Sequence, residues 1–336
     1  MRKFLGFLLV FVLASCQSLP KAPLPSSYLS GNQTLSFHDT QRQKSLAVWV
    51  WYPVAEDAAW KTPANVYPWG RLAEQGAPRQ ASQARPLLLL SHGFAGSPEE
   101  YAWLVEPLVA AGYVVLATKH SDLPGPQMNH WNRALDVSFV LSEFLKTPIG
   151  LSIDLKRIGF MGFSLGGMTG ISLAGAKVTN LSGLIPDTSH VREARIIQDA
   201  REARPHLDSE KMQSDLHDDR IKAAFLMAPA WAWAFEASQL KGVSIPVSIV
   251  AGDKDEVLVS ETNGLWYAQH IPKAQFQWIQ GAGHFVFLGT PSCEGRKTMD
   301  PNGSLSFLYK DEPSVNRAYV QEQVKNLAMA FFASHL

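Results

Sequence analysis

Five residues, Gly162-Phe163-Ser164-Leu165-Gly166, constrain this chain more than any other stretch. Glycines two before and two after a serine let the backbone turn sharply and let a following helix pack close to the preceding strand. The flanks agree with that geometry. Residues 157–161 form a short apolar run suited to a buried strand, and residues 167–176, small and apolar, suit a helix leaving a sheet. A serine hydroxyl is a weak nucleophile until a base activates it, so the turn predicts partners elsewhere in the sequence.

Strand and helix signals alternate along the rest of the chain. Residues 46–52 alternate with the period of a strand, and 34–38 are the expected hairpin partner. Residues 86–90 are a continuous apolar run, the mark of a central strand buried on both faces. They lead into Ser91-His92-Gly93-Phe94-Ala95-Gly96. Ser97, Pro98 and Glu100 then occupy the cap, first-turn and capping-box positions of a helix start. Further strands are predicted over 113–118, 221–227, 245–251 and 275–280, with helices over 131–146 and 313–335. The last helix would carry Val320, Val324, Leu327, Ala328 and Phe331 on one stripe. Such alternation implies an α/β fold, with a mostly parallel central sheet covered by helices on both faces. Residues 181–220 are polar and charged, and read either as a cap-like insertion or as a solvated surface segment.

Composition narrows the partners. Thirty basic and thirty acidic residues give a formal net charge of zero, so no nucleic acid or other polyanion is expected. His120, His130, His190, His206 and His217 are dispersed without metal-ligand spacing, so neither metal nor cofactor is expected. Asp122 is the expected partner of His120. Cys293 reads as a free or structural thiol. Arg2 and Lys3 followed by an apolar run over 4–13 fit a secretory signal, too short to span a bilayer.

Two strand ends supply candidates to act with Ser164. Gly252-Asp253-Lys254-Asp255 follows one, and Gly281-Ala282-Gly283-His284-Phe285 follows the last. An acid and then a histidine downstream of the serine is the order such a turn requires. The acid fixes the imidazole tautomer and the histidine relays the proton. Trp231 and Trp233 follow another strand on the same edge, and Phe94, Phe163 and Phe285 each adjoin a motif. Phe94, Phe163, Trp231 and Phe285 are therefore candidates for an apolar substrate pocket.

With these residues in place, the chain resembles the α/β-hydrolase superfamily over residues 34–336. The resemblance is to the branch holding dienelactone-hydrolase-like, platelet-activating-factor acetylhydrolase-like and cutinase-like esterases. It implies Ser164 as nucleophile and His284 as base, and it selects Asp255 over Asp253 as the acid. It further implies an oxyanion hole from the backbone N–H groups of Leu165 and Phe94. The expected activity is cleavage of a small hydrophobic ester, with short- or medium-chain or aryl groups, through an acyl-enzyme. Acyl transfer or amide cleavage would use the same triad, and a non-catalytic binding module on this scaffold is the reading from another class. Leu13-Ala14-Ser15-Cys16 resembles a bacterial lipobox. That resemblance implies a signal peptide over 1–16, a lipid on Cys16 that holds the protein to a membrane, and a tether over 17–33. Gln17 in place of aspartate favours the outer membrane.

Overall fold

The computed structural model describes residues 29–55, 58–61, 66–74, 78, 84–122, 129–179 and 208–336. Among them, a nine-stranded sheet forms the centre. In chain order its strands are β1 (Leu29–Asp39), β2 (Lys44–Pro53), β3 (Arg71–Glu74), β4 (Arg85–Ser91), β5 (Val114–Thr118), β6 (Ile153–Phe163), β7 (Ala223–Met227), β8 (Val247–Gly252) and β9 (Ala274–Ile279). Their spatial order is β3-β1-β2-β5-β4-β6-β7-β8-β9. From β5 to β9 every neighbouring pair is parallel. The β1–β2 hairpin is antiparallel, and β2 joins β5 antiparallel. This is the expected α/β architecture.

The apolar run at 86–90 shows why both faces must be covered. Leu87 and Leu89 enter a core with helices α2 (Trp131–Phe144) and α3 (Leu165–Leu173), while Leu88 and Leu90 enter a second core on the opposite face. Helix α1 (Ala102–Ala110) and the C-terminal helix Arg317–His335 close that second face. Side chains alternate across a strand, so four consecutive leucines supply both cores, each contributing about 2 kcal/mol by burial.

Several expectations shift. The tether expected over 17–33 overlaps the sheet, because 29–33 already belong to β1: 29–32 pair with β3 and 30–33 with β2. Backbone groups there are satisfied by strand partners on either side, which a free linker could not supply. Ser97 makes no side-chain cap. The first turn, Pro98–Tyr101, is a 3₁₀ turn in which Glu100 N donates to the Ser97 carbonyl (3.2 Å), and Ser97 Oγ turns to Glu99 instead. Leu327 is 37% exposed, and Phe332 takes its place in the core. Of the insertion at 181–220, only 208–220 lies within the described residues, where Ser209–Met212 is a short helix. The signal sequence, Cys16, His190 and His206 lie outside them. Cys293 is exposed.

Candidate active site

The carboxyl ends of β4, β6, β7, β8 and β9 form one edge, and the loops there carry the candidate residues. Ser164 follows β6 with φ 52° and ψ −114°. That conformation is sparsely populated for a residue with a side chain and costs about 1–3 kcal/mol. Neighbouring bonds hold it. Ser164 N donates to the Met227 carbonyl (2.9 Å), and the Ser164 carbonyl accepts from Gly167 N (2.9 Å), Met168 N (3.2 Å) and Ala230 N (3.0 Å). The two glycines are steric requirements. A Cβ on Gly162 would lie 2.3 Å from the Gly166 carbonyl oxygen, and one on Gly166 would lie 2.0 Å from the Ser91 carbonyl oxygen.

The structure brings the three distant candidates together. His284 Nε2 is 3.0 Å from Ser164 Oγ, and His284 Nδ1 is 2.7 Å from Asp255 Oδ2. The other oxygen of Asp255 accepts from Val257 N (2.9 Å) and Leu258 N (2.7 Å). Asp253 faces elsewhere, accepting from Gly281 N at 2.6 Å, and so ties the β8 and β9 turns together. Glu256, which the sequence reading passed over, accepts from His284 N at 2.9 Å and anchors the histidine's backbone.

The amides of Leu165 and Phe94 meet no hydrogen-bond acceptor among the described residues. Leu165 is the first residue of α3, where N–H groups lack an intrahelical partner. Gly93, just before Phe94, abuts the elbow: a Cβ there would lie 3.7 Å from Ser164 Cβ.

The aromatic candidates divide. Phe94 is 51% exposed and Phe285 half-buried, so both present surface at the site. Phe94, His130, Trp231 and Trp233 form a run with ring centroids 6.4, 4.5 and 5.1 Å apart. Phe285 meets Phe307 at 5.4 Å. Trp231 is buried in this run with φ 62°, a left-handed conformation rare for so large a side chain. Phe163, expected in the pocket, is buried. It is 3% exposed and packs beneath the His284 ring at 4.8 Å, against Tyr101 and Phe287. Its place as the last residue of β6 aims it into the core opposite the elbow helix.

The expected His120–Asp122 pair is absent. His120 bonds Ser91 Oγ (3.0 Å) and Asp136 Oδ2 (3.3 Å), while Asp122 is held by Arg133. A guanidinium offers a carboxylate two parallel bonds and an imidazole only one, so Arg133 wins the competition. Arg133 and Asp136 were missed by the sequence reading. Their signal was present: both are charged residues on the inward stripe of α2, among Val137, Val140 and Phe144.

Burial sets the charge of this interior. It pushes His120 down to about 4 and His130 to about 3, aided by the Arg133 charge, and holds His92 well below its ordinary value. Burial also raises Glu100 and Glu106 to about 7. The two sets oppose one another in stability. Below pH 6.5 the unfolded chain protonates three imidazoles that the folded chain keeps neutral, so acidification favours unfolding. Between 4.5 and about 7 the folded chain keeps two carboxyl protons that the unfolded chain releases, which favours folding as pH falls. Three against two leaves a shallow slope between pH 4.5 and 6.5, about 1.4 kcal/mol per pH unit. Below 4.5 the carboxyls stop opposing and the slope steepens. Thermal melts from pH 7 to 4 should show a gradual decline to pH 5, about 2 kcal/mol in all, and a steeper fall below 4.5. A steep fall already at pH 6 would show that Glu100 and Glu106 are ionised in the folded state.

Comparison with known proteins supplies the family. A model of the Alpha/beta hydrolase family matches residues 87–293. Two cutinases of Thermobifida alba, est1 and est2, are each 31% identical over 104 residues, or 30% of this chain. The match spans 34% and 33% of those proteins, about a third of their length. Among solved structures, a ferulic acid esterase from Streptomyces cinnamoneus superposes with a TM-score of 0.59 at 19% identity, covering 95% of this chain and 92% of its own. Thermogutta terrifontis esterase 2 phosphorylated by paraoxon gives 0.52 at 14% identity, covering 93% and 95%. The two structural likenesses speak to the fold; the family model covers more than half of the sequence, including the elbow, the acid and the histidine. The chain belongs to the alpha/beta hydrolase family.

Proposed function

We propose that this protein is a serine ester hydrolase. The observation that carries the reading is the unbroken line from Ser164 Oγ through His284 to Asp255, at 3.0 and 2.7 Å. Ser164 attacks the ester carbonyl while His284 Nε2 takes its proton. Asp255 holds Nδ1–H and stabilises the imidazolium. The carbonyl oxygen, now negative, rests on the amides of Leu165 and Phe94, which are free to receive it. His284 protonates the departing alcohol, and water then repeats the cycle on the acyl-enzyme. These steps involve no cofactor.

The substrate class follows from the walls. Phe94 and Phe307 are exposed and Trp233 and Phe285 partly so, and they offer ring faces and few charges, with buried His130 and Trp231 packed behind Phe94 and Trp233. They suit small hydrophobic esters with short or medium acyl chains or aryl groups. The similarity to cutinases and esterases supports the same class. The test is a panel of p-nitrophenyl esters together with a fluorophosphonate probe. The folded protein should take the probe on Ser164 and cleave acetyl, butyryl and benzoyl esters. Failure of both would shift the reading to a non-catalytic binding module.

The same reading extends to place. Lipidation of Cys16 would hold the enzyme at the bacterial cell envelope, on the outer membrane, facing esters that do not enter the cell. Incorporation of labelled palmitate should be lost in Cys16→Ala, and labelling that persists in that variant would refute the anchor.

A further inference from the structure

Behind the loop 91–96 lies a buried charged cluster that takes no part in the line Ser164–His284–Asp255. Its centre is Arg133, whose side chain is 2% exposed, paired with Asp122 at 3%. A buried guanidinium needs acceptors for its five N–H groups. Arg133 finds them all. Nε donates to Asp122 Oδ1 (2.8 Å), and Nη2 donates to Asp122 Oδ2 (2.6 Å) and the Gly93 carbonyl (2.9 Å). Nη1 donates to the His92 carbonyl (2.5 Å) and, at 3.4 Å, to Ser91 Oγ.

The loop is held at further points. The Gly93 carbonyl also meets His92 Nδ1 (2.6 Å) and Gly96 N (3.2 Å). Asp122 Oδ2 accepts from Ala95 N (2.9 Å), and His92 Nε2 accepts from His120 N (3.0 Å). Burial opposes the charge on Asp122, yet the hydrogen bond and charge of Arg133 hold its carboxyl well below the usual range. Asp122 is therefore ionised throughout the neutral range.

One consequence follows from peptide geometry. The Gly93–Phe94 peptide is planar and trans, so its C=O and N–H point in opposite directions. Fixing the Gly93 carbonyl on Arg133 turns the Phe94 N–H out of the cluster. Gly93 itself lies against the elbow, where an added Cβ would sit 2.9 Å from the Phe163 ring and 3.7 Å from Ser164 Cβ.

A neighbouring line, Ser91–His120–Asp136, mimics the first at 3.0 and 3.3 Å. It is a strut, not a second reactive centre. Ser91 is fully buried and Asp136 is neutralised by Arg42 (2.7 Å) and Lys44 (2.8 Å).

We propose that Arg133, seated by Asp122, is a positioning residue that aims the Phe94 amide at the oxygen of the tetrahedral intermediate. Its chemistry rests on the ester-hydrolase reading, whereas the ordering of the loop can be measured without it. Lysine cannot replace the fork, because a point donor cannot grip two carbonyls and a carboxylate in one plane.

The experiment compares Arg133→Lys, Arg133→Ala and Asp122→Asn with wild type, by kinetics on p-nitrophenyl butyrate and by amide exchange over 93–96. Arg133→Lys and Arg133→Ala should lose about 10²-fold in kcat, the scale of one oxyanion donor, with KM within about threefold. Free guanidinium ion should restore part of the loss in Arg133→Ala. Exchange at 93–96 should rise about tenfold in Arg133→Lys while the strands stay protected. Should the arginine variants not fold, Asp122→Asn carries the test: it keeps the guanidinium and both carbonyl bonds, and should lose about tenfold in kcat with a looser loop. Unchanged exchange at 93–96 in a folded variant overturns the proposal, as does a loss expressed in KM alone. If exchange rises but wild type cleaves no ester, the clamp stands and the ester-hydrolase reading fails instead.

Discussion

Ser164→Ala should lower kcat on a p-nitrophenyl ester by about 10⁶-fold while leaving KM within about threefold. The size of the loss reflects how the three side chains work as a unit. Without the hydroxyl, His284 has no proton to take and no covalent acyl-enzyme can form, so only the amides of Leu165 and Phe94 and the aromatic walls remain. Such remnants typically retain about 10³-fold catalysis over water. The substitution should not harm the fold. Ser164 is held by its backbone, through Met227, Gly167, Met168 and Ala230, and not by its hydroxyl. A thermal melt should therefore match wild type within about 0.5 kcal/mol. An alanine variant that keeps more than about one per cent of wild-type turnover would mean that another group performs the attack.

Asp255→Asn should cost about 10⁴-fold in kcat, and Asp253→Asn less than about threefold. The difference comes from what each carboxylate touches. Asp255 accepts from two backbone N–H groups, on Val257 and Leu258, with one oxygen, and from His284 Nδ1 with the other. In the asparagine variant the backbone donors claim the amide oxygen. The NH₂ then faces His284 Nδ1 and forces that nitrogen to accept. The ring proton moves to Nε2, the position that must receive the serine proton, and the base is in the wrong tautomer. Asp253 only accepts from Gly281 N, which an asparagine oxygen can do as well. Wild-type turnover in Asp255→Asn with a dead Asp253→Asn would reverse the assignment of the acid.

The legible parts of the protein are those with short-range causes. The elbow was readable because glycine at 162 and 166 is imposed by contacts within five residues and one neighbouring strand. The run at 86–90 was readable because a strand buried on both faces has no polar side. The hairpin over 34–52 was readable from a period of two, and the C-terminal helix from an apolar stripe. Less legible was what a side chain does once it arrives. Phe163, beside the nucleophile in sequence, points into the core, whereas Phe94, seventy residues upstream, faces the site. Asp122 stands near His120 in sequence but belongs to Arg133, because the stronger, two-pronged partner arrives from α2.

By itself, the order of residues determined the turn that exposes Ser164, the alternation that yields a covered parallel sheet, and the short roster of downstream acids and histidines. Each depends on sterics or on burial of apolar surface, and those act over a few residues. Tertiary structure alone decided which roster members meet. The separations are 120 residues from Ser164 to His284 and 29 from His284 to Asp255, and they close only because adjacent parallel strands end at one edge in a fixed register. It also decided that a buried arginine on the apolar stripe of α2 should orient a loop forty residues away. A charge on an apolar stripe can mark a buried partner, but which distant group it meets leaves no periodic trace in sequence and is settled only where packing has excluded water.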